Sequence, residues 1–151
     1  MVAPNLDVAA ALAAAEEHCR GQQVALTPNR RFMLQQLLEA GRPMKAYELL
    51  PRLQAAGRPS NPASAYQALR ALQAAGLVGR IETLNAFVAR APGEAGPAVL
   101  VCRACEDVTP VHIRIEGAAR AAARRHAFGV EGWICEVVGV CARCRGTALA
   151  P

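Results

Sequence analysis

Four cysteines stand in two pairs of identical spacing, Cys102-Arg103-Ala104-Cys105 and Cys141-Ala142-Arg143-Cys144, with 35 residues between the pairs. Each Cys-x-x-Cys turn can aim two thiolates at one point, and two such turns together make a closed tetrahedral set of sulfurs, the arrangement a structural zinc ion takes. The competing chemistry is a disulfide. A bond within a Cys-x-x-Cys is usually a redox device, and Met1-Val2-Ala3-Pro4 opens no signal peptide, so zinc is the expectation. Four thiolates committed to a closed cage leave no open coordination position, and no histidine and acid are placed as a base and its orienter. The chain is therefore not expected to be an enzyme or to take a small-molecule substrate.

A cage built from two distant pairs requires the intervening chain to leave the first knuckle and return to it. Residues 98–101 look like a buried strand entering the first pair, 108–115 like a second strand, 117–128 like a helix, and 133–140 like a strand running into the second pair. The expectation is a small α/β unit over 98–146 with one sheet face covered by one helix. Such a unit has sheet edges to protect, and a second copy of the chain would cover one, so a homodimer is expected through this region. His126 reads as a favourable cation at a helix C-terminus, and Cys135 as a small buried hydrophobe.

The basic character lies before the cysteines. Residues 20–90 hold ten Lys or Arg against three acids, residues 91–151 seven against six. An excess of +7 in one stretch of a chain whose net charge is +5 suits a surface facing phosphates. The apolar stretches are too short and too interrupted to span a bilayer. A soluble, cytoplasmic protein with no membrane partner is the expectation.

The elements before the cysteines follow from periodicity and caps. Residues 5–20 read as a helix with Val8, Leu12 and Ala15 on one face, ended by Gly21. Thr27-Pro28 starts a second helix, whose Phe32, Leu34, Leu37 and Leu38 form an apolar face before Gly41. A third spans 45–56, with Tyr47, Leu49, Leu50 and Leu53 expected inward and Pro51 expected to remove a hydrogen bond or kink it. Ser60-Asn61-Pro62 starts a fourth, closed by Gly76. Its inward stripe is Ala65, Leu69 and Leu72; Ser64, Gln67 and Arg70 face outward, with Tyr66 at the side. Residues 78–82 and 87–90 alternate as a β-hairpin.

Three short helices and a hairpin make a winged helix-turn-helix pattern, in which the last helix enters the major groove of double-stranded DNA and the hairpin lies along the backbone. Residues 91–97 are a linker by composition. The expected class is α+β: a winged-helix DNA-binding domain over 1–90, a hinge linker at 91–97, a zinc-containing dimerisation domain over 98–146, and a tail at 147–151.

These residues resemble a known family. Leu26-Thr27-Pro28-Asn29-Arg30 is similar to its "LTPQR" opening, Ala63-Ser64-Ala65-Tyr66-Gln67-Ala68-Leu69 to its "ATVYRAL" recognition helix, and Gly76-Leu77-Val78 with Asn85-Ala86-Phe87 to its wing. The cysteine pairs, with Gly139 two residues before Cys141, complete the likeness to the ferric uptake regulator family. Cys19 followed by the "LTP" segment looks closest to its zinc uptake regulator branch. The resemblance covers about residues 8–146.

It implies a homodimeric, metal-responsive transcriptional regulator, usually a repressor, on a palindromic operator. The recognition tyrosine falls on Tyr66 and the structural zinc ligands on Cys102, Cys105, Cys141 and Cys144. The family's arginine after that tyrosine is Gln67 here, and glutamine favours adenine where arginine favours guanine. Arg30, Arg31, Lys45 and Arg70 are candidate phosphate contacts. The family's sensory metal ligands fall on Gly79, Arg90, a linker without histidine or cysteine, and Pro110; Trp133 stands near a place of the alternative site. Regulatory metal binding is thus expected to be absent or non-standard, with His112, His18 and Cys19 as candidate substitutes. The alternative is a degenerate member acting through protein contacts or mixed dimers.

Overall fold

The computed structural model describes residues 7–93 and 98–148. The expected helix start at 5–6, linker residues 94–97 and the tail from 149 onward lie outside the described residues. The chain divides into two compact units, Met1–Gly96 and Pro97–Pro151.

In the first unit, α1 (Val8–Gly21) begins where the Asp7 carboxylate accepts from the amides of Ala9 and Ala10 at 3.0 and 3.1 Å, satisfying donors a helix start leaves unpaired. The helix runs one residue past its expected end, where Gly21 was to stop it. Gly21 is the last helical residue, and the left-handed position falls on Gln23 (φ +58°). The second helix, α2 (Pro28–Ala40), has Thr27 as its cap, proline at its first position and left-handed Gly41 after it, as its sequence signals require.

A two-residue strand, β1 (Met44–Lys45), leads into α3 (Ala46–Ala55). The helix starts one residue later than expected because Lys45 is its cap: the Glu48 carboxylate accepts from the Lys45 amide at 2.7 Å. It also accepts from Arg42 at 2.7 Å, and that guanidinium holds the Glu48 carboxyl below its ordinary range. Pro51 lies on the exposed side of α3, which runs through it unbroken.

One expectation fails here. Tyr47 is 66% exposed, not packed inward. Ala46, Leu49 and Leu53, at i, i+3 and i+7, take the buried stripe, and Tyr47 lies about 100° around the helix from Ala46.

The fourth helix, α4 (Pro62–Ala74), is tied at its start by a reciprocal pair: the Ser64 amide donates to Asn61 Oδ1 at 2.8 Å, and Asn61 Nδ2 donates to Ser64 Oγ at 2.9 Å. After left-handed Gly76, β2 (Val78–Ile81) and β3 (Ala86–Ala89) form the expected hairpin, antiparallel with Gly79 opposite Val88 and Arg80 opposite Phe87. Met44 and Lys45 pair with Phe87 and Ala86, giving sheet order β1-β3-β2. Leu12, Met33, Leu34, Leu37, Leu49, Leu53, Leu69, Leu72 and Phe87 share one buried core. Each such side chain contributes about 1.5–3 kcal/mol on burial, so the unit fixes α4 firmly.

The second unit contains β4 (Ala98–Cys102), β5 (Val108–Val111), α5 (Glu116–Arg125), β6 (Glu136–Gly139) and α6 (Ala142–Ala148). Its sheet order is β5-β4-β6, with β4 antiparallel to β5 and parallel to β6. Pro110 is accommodated because β5 is an edge strand. The outer strands are shorter than expected, and α6 was not anticipated.

The expected cover of a sheet face by α5 is not made within the chain, since no residue of α5 is buried. The reason is compositional: Glu-Gly-Ala-Ala-Arg-Ala-Ala-Ala-Arg-Arg carries no large apolar side chain. Leu100, Val137 and Val138 of the sheet, and Phe128 and Ile134 beside it, stay exposed, Phe128 and Ile134 by more than two-thirds (68% and 69%). Arg120 lies over the Trp133 ring at 5.1 Å. Cys135 is half-buried rather than buried, and His126 caps α5 at its C-terminus. Among the described residues no helix is long and apolar enough to cross a membrane.

Candidate metal centre and recognition face

The cysteine knuckles are positioned by strand ends. β4 ends in Cys102, and the chain turns back at once: the Glu106 amide donates to the Cys102 carbonyl at 2.8 Å, with Glu106 left-handed (φ +58°), and the Cys102 amide donates to the Asp107 carbonyl at 2.9 Å. β6 runs parallel to β4 with Gly139 opposite Cys102, and the Arg103 amide donates to the Gly139 carbonyl at 2.9 Å. The parallel pairing therefore ends with both knuckles side by side. The Cys141 amide donates to Cys102 Sγ at 3.3 Å, and α6 carries Cys144 back toward the other sulfurs.

The four Sγ atoms all lie within 4.8 Å of one another, Cys105 and Cys141 at 3.8 Å. A tetrahedral ion with Zn–S near 2.3 Å needs sulfurs about 3.8 Å apart, and all four cysteines are free thiols. The donor set and spacing fit zinc.

The protons on the cluster are unequally held. The Cys141 amide, with those of Cys105 and Ala104, brings the Cys102 thiol down to about 6. Cys144, sharing hydrogen bonds with Cys105 and Cys141, is pushed up to about 12. Four sulfurs this close cannot all ionise without a cation among them. Arg143 joins the knuckles by an ion pair to Asp107 at 2.9 Å.

In the first unit, α4 presents Tyr66 (41% exposed), Gln67 and Arg70 on one side. Ser64 is half-buried and engaged by Asn61. The Tyr66 ring meets Phe87 of β3 edge-on, centroids 6.4 Å apart and planes at 68°, so helix and wing are in register. Tyr66, Tyr47, Lys45, Pro62 and Asn85 line a cleft of about 240 Å³ between the starts of α3 and α4 and the hairpin turn. Tyr47 is the residue that sequence reasoning missed. Its signal was the completed stripe of Ala46, Leu49 and Leu53, which leaves no inward place for it.

The expected phosphate contacts are less free than their charges suggest. Arg31 Nε donates to Glu16 at 2.6 Å and Arg30 Nη1 donates to the Ala25 carbonyl at 2.7 Å, whereas Lys45 caps α3 through its backbone amide, which donates to Glu48.

The candidate sensory substitutes are dispersed. His18 Nε2 donates to the Ala75 carbonyl at 2.9 Å. Cys19 is buried in the core, where burial raises its thiol. His112 is exposed just past β5. Among the described residues, the four knuckle cysteines are the one group of three or more metal donors. At the wing, Arg90 lays its guanidinium against Gly79: a Cβ there would stand 2.6 Å from Arg90 Cζ and 2.7 Å from Nη2.

No family model and no curated protein matches the chain, whereas solved structures do. A zinc uptake regulator complexed with zinc and DNA is similar with a TM-score of 0.88 and 26% identity, covering 97% of this chain and 100% of that one. The holo form of XcZur is 34% identical with a TM-score of 0.79, over 89% of this chain and 96% of the other. The Vibrio cholerae ferric uptake regulator, 21% identical with a TM-score of 0.54 over 83% and 98%, shares the fold. Identity of this level over nearly the whole relative, with the four-cysteine cluster in the second unit, places the chain in the ferric uptake regulator family, in its zinc uptake regulator branch, a regulator and not an enzyme.

Proposed function

We propose that the chain is a transcriptional repressor that binds double-stranded DNA in the cytoplasm as a homodimer, each subunit held together by one structural zinc ion. The single observation that carries this is the exposed side of α4, where Tyr66, Gln67 and Arg70 stand beside the wing on a core-anchored helix. The likeness to a zinc uptake regulator complexed with zinc and DNA supports it. In this reading residues 1–90 bind DNA, 91–97 are the hinge and 98–146 form the dimer. Gln67 and Tyr66 read bases, with Tyr47 beside them. Arg70 meets phosphates, joined by Arg30, Arg31 and Lys45 when their present partners release them.

Zinc on Cys102, Cys105, Cys141 and Cys144 would supply a fixed divalent charge that balances the thiolates and clamps β4 to β6; it leaves no open position for chemistry. The apolar surface left bare on the second unit supports pairing with a second copy.

The test is selection of duplexes from a randomised pool, followed by a binding titration with salt series. A palindromic site, bound by two chains with affinity falling steeply with salt, is the expected result. Failure to bind any duplex at low salt, with co-purification of a related subunit, would point to the mixed-dimer alternative.

A further inference from the structure

Gly79 sits inside a strand, where glycine costs about 0.5–1 kcal/mol relative to alanine, and its φ is not in the left-handed region. The backbone does not ask for glycine there. What asks for it is Arg90, whose guanidinium occupies the volume a Cβ would take. An isolated glycine within a strand marks such a close approach. The seat is fixed at its other end as well, since the Arg90 amide donates to the Leu77 carbonyl at 2.9 Å. The half-buried Arg90 thus crosses from the end of β3 back over Gly79 of β2.

We propose that Arg90 is a positioning residue: a permanent cationic brace, seated on Gly79, that holds the wing in its DNA-binding arrangement without a second metal ion. This rests on the DNA-binding reading above. Any side chain at position 79 and the Arg90 guanidinium in its present seat need the same space, so one of them must shift. Unlike a metal ion, a guanidinium neither dissociates nor loses its proton at any physiological pH. A wing braced this way has no empty state for metal to fill. DNA affinity is then set by the Gly79–Arg90 contact and stays flat as metal is added beyond the cage.

The experiment uses the full chain, loaded with one zinc per subunit, and a duplex it selects from a randomised pool. Further zinc changes wild-type affinity by less than about threefold, whereas allosteric metal coupling is typically 5- to 150-fold. Gly79→Ala, which pushes the guanidinium from its seat, and Arg90→Ala each weaken binding about tenfold, and the double variant is no worse than either, as one shared contact requires. The salt slope stays that of the wild type. Circular dichroism and zinc content check that each variant is folded; should Arg90→Ala melt early, Arg90→Lys, which keeps the charge but loses the planar fork, is read against Gly79→Ala in the same cycle.

Any of three results would overturn the proposal. One is a tenfold gain of wild-type affinity with a second zinc. Another is losses that multiply in the double variant. The third is a salt slope that falls by about 0.9 in Arg90→Ala, which would make Arg90 a phosphate contact. A wild-type chain that binds no duplex at all overturns the DNA-binding reading itself, a distinct outcome.

Discussion

His18 Nε2 donates to the carbonyl of Ala75 at 2.9 Å, so the last turn of α1 holds the C-terminal cap of α4. The bond links positions 57 residues apart and leaves one of the unpaired carbonyls at the end of α4 satisfied. His18→Ala is expected to lower stability by about 1 kcal/mol, read as a lower urea midpoint at unchanged slope. His18→Gln, which can still donate, should recover part of it. An unchanged midpoint in His18→Ala would mean the contact contributes nothing.

Zinc affinity should fall with acid. Cys102, held down to about 6 by the Cys141 amide, is already a thiolate at pH 7, and its contribution is lost as pH drops through 6. Cys144, pushed up to about 12, keeps its proton until the ion displaces it. Metal binding near neutrality therefore releases protons, and affinity rises with pH, losing most below pH 6. Chelator competition at pH 5.5, 6.5 and 7.5 measures this, and a flat profile would contradict the four-thiolate assignment. Ser in place of any of the four cysteines should abolish stoichiometric zinc and unfold the second unit.

Exposure separates the two faces of α3. Tyr47→Ala removes a side chain that is 66% exposed and should weaken duplex binding while leaving the melting temperature within a degree or two. Leu49→Ala opens the core, costing about 2–5 kcal/mol. A melting temperature that falls as far for Tyr47→Ala would show its role to be structural.

On α4, Gln67→Arg should move base preference from adenine toward guanine at one operator position, by about 1–3 kcal/mol of discrimination. Arg70→Ala should weaken all duplexes alike and reduce the salt slope by about 0.9. Selection from a randomised pool with each variant distinguishes a base reader from a phosphate contact.

What was legible in the sequence was local. Thr27-Pro28 and Asn61-Pro62 announce helix starts, Gly41 and Gly76 the ends, and two matched cysteine spacings a closed cage; these signals lie within a few residues of what they specify. What was not legible depends on distant partners. Met44-Lys45 is a strand only because Phe87 and Ala86 lie opposite. Tyr47 looked like a core residue until Ala46, Leu49 and Leu53 filled the stripe. The bare outer side of α5 follows from its small side chains, but which sheet face it would leave open does not. Nor does any pattern state that Gly79 and Arg90, eleven positions apart, share one volume.

The uncovered second unit has a consequence for dosage. Phe128 and Ile134 are more than two-thirds exposed and no residue of α5 is buried, so in the proposed homodimer a second copy would complete the fold of the first. Stability then follows protomer abundance by mass action, and scarce subunits spend more time in states that proteases clear. While subunits are scarce, the amount of proposed dimer would rise with about the square of their abundance, and it would level off only gradually as pairing nears completion.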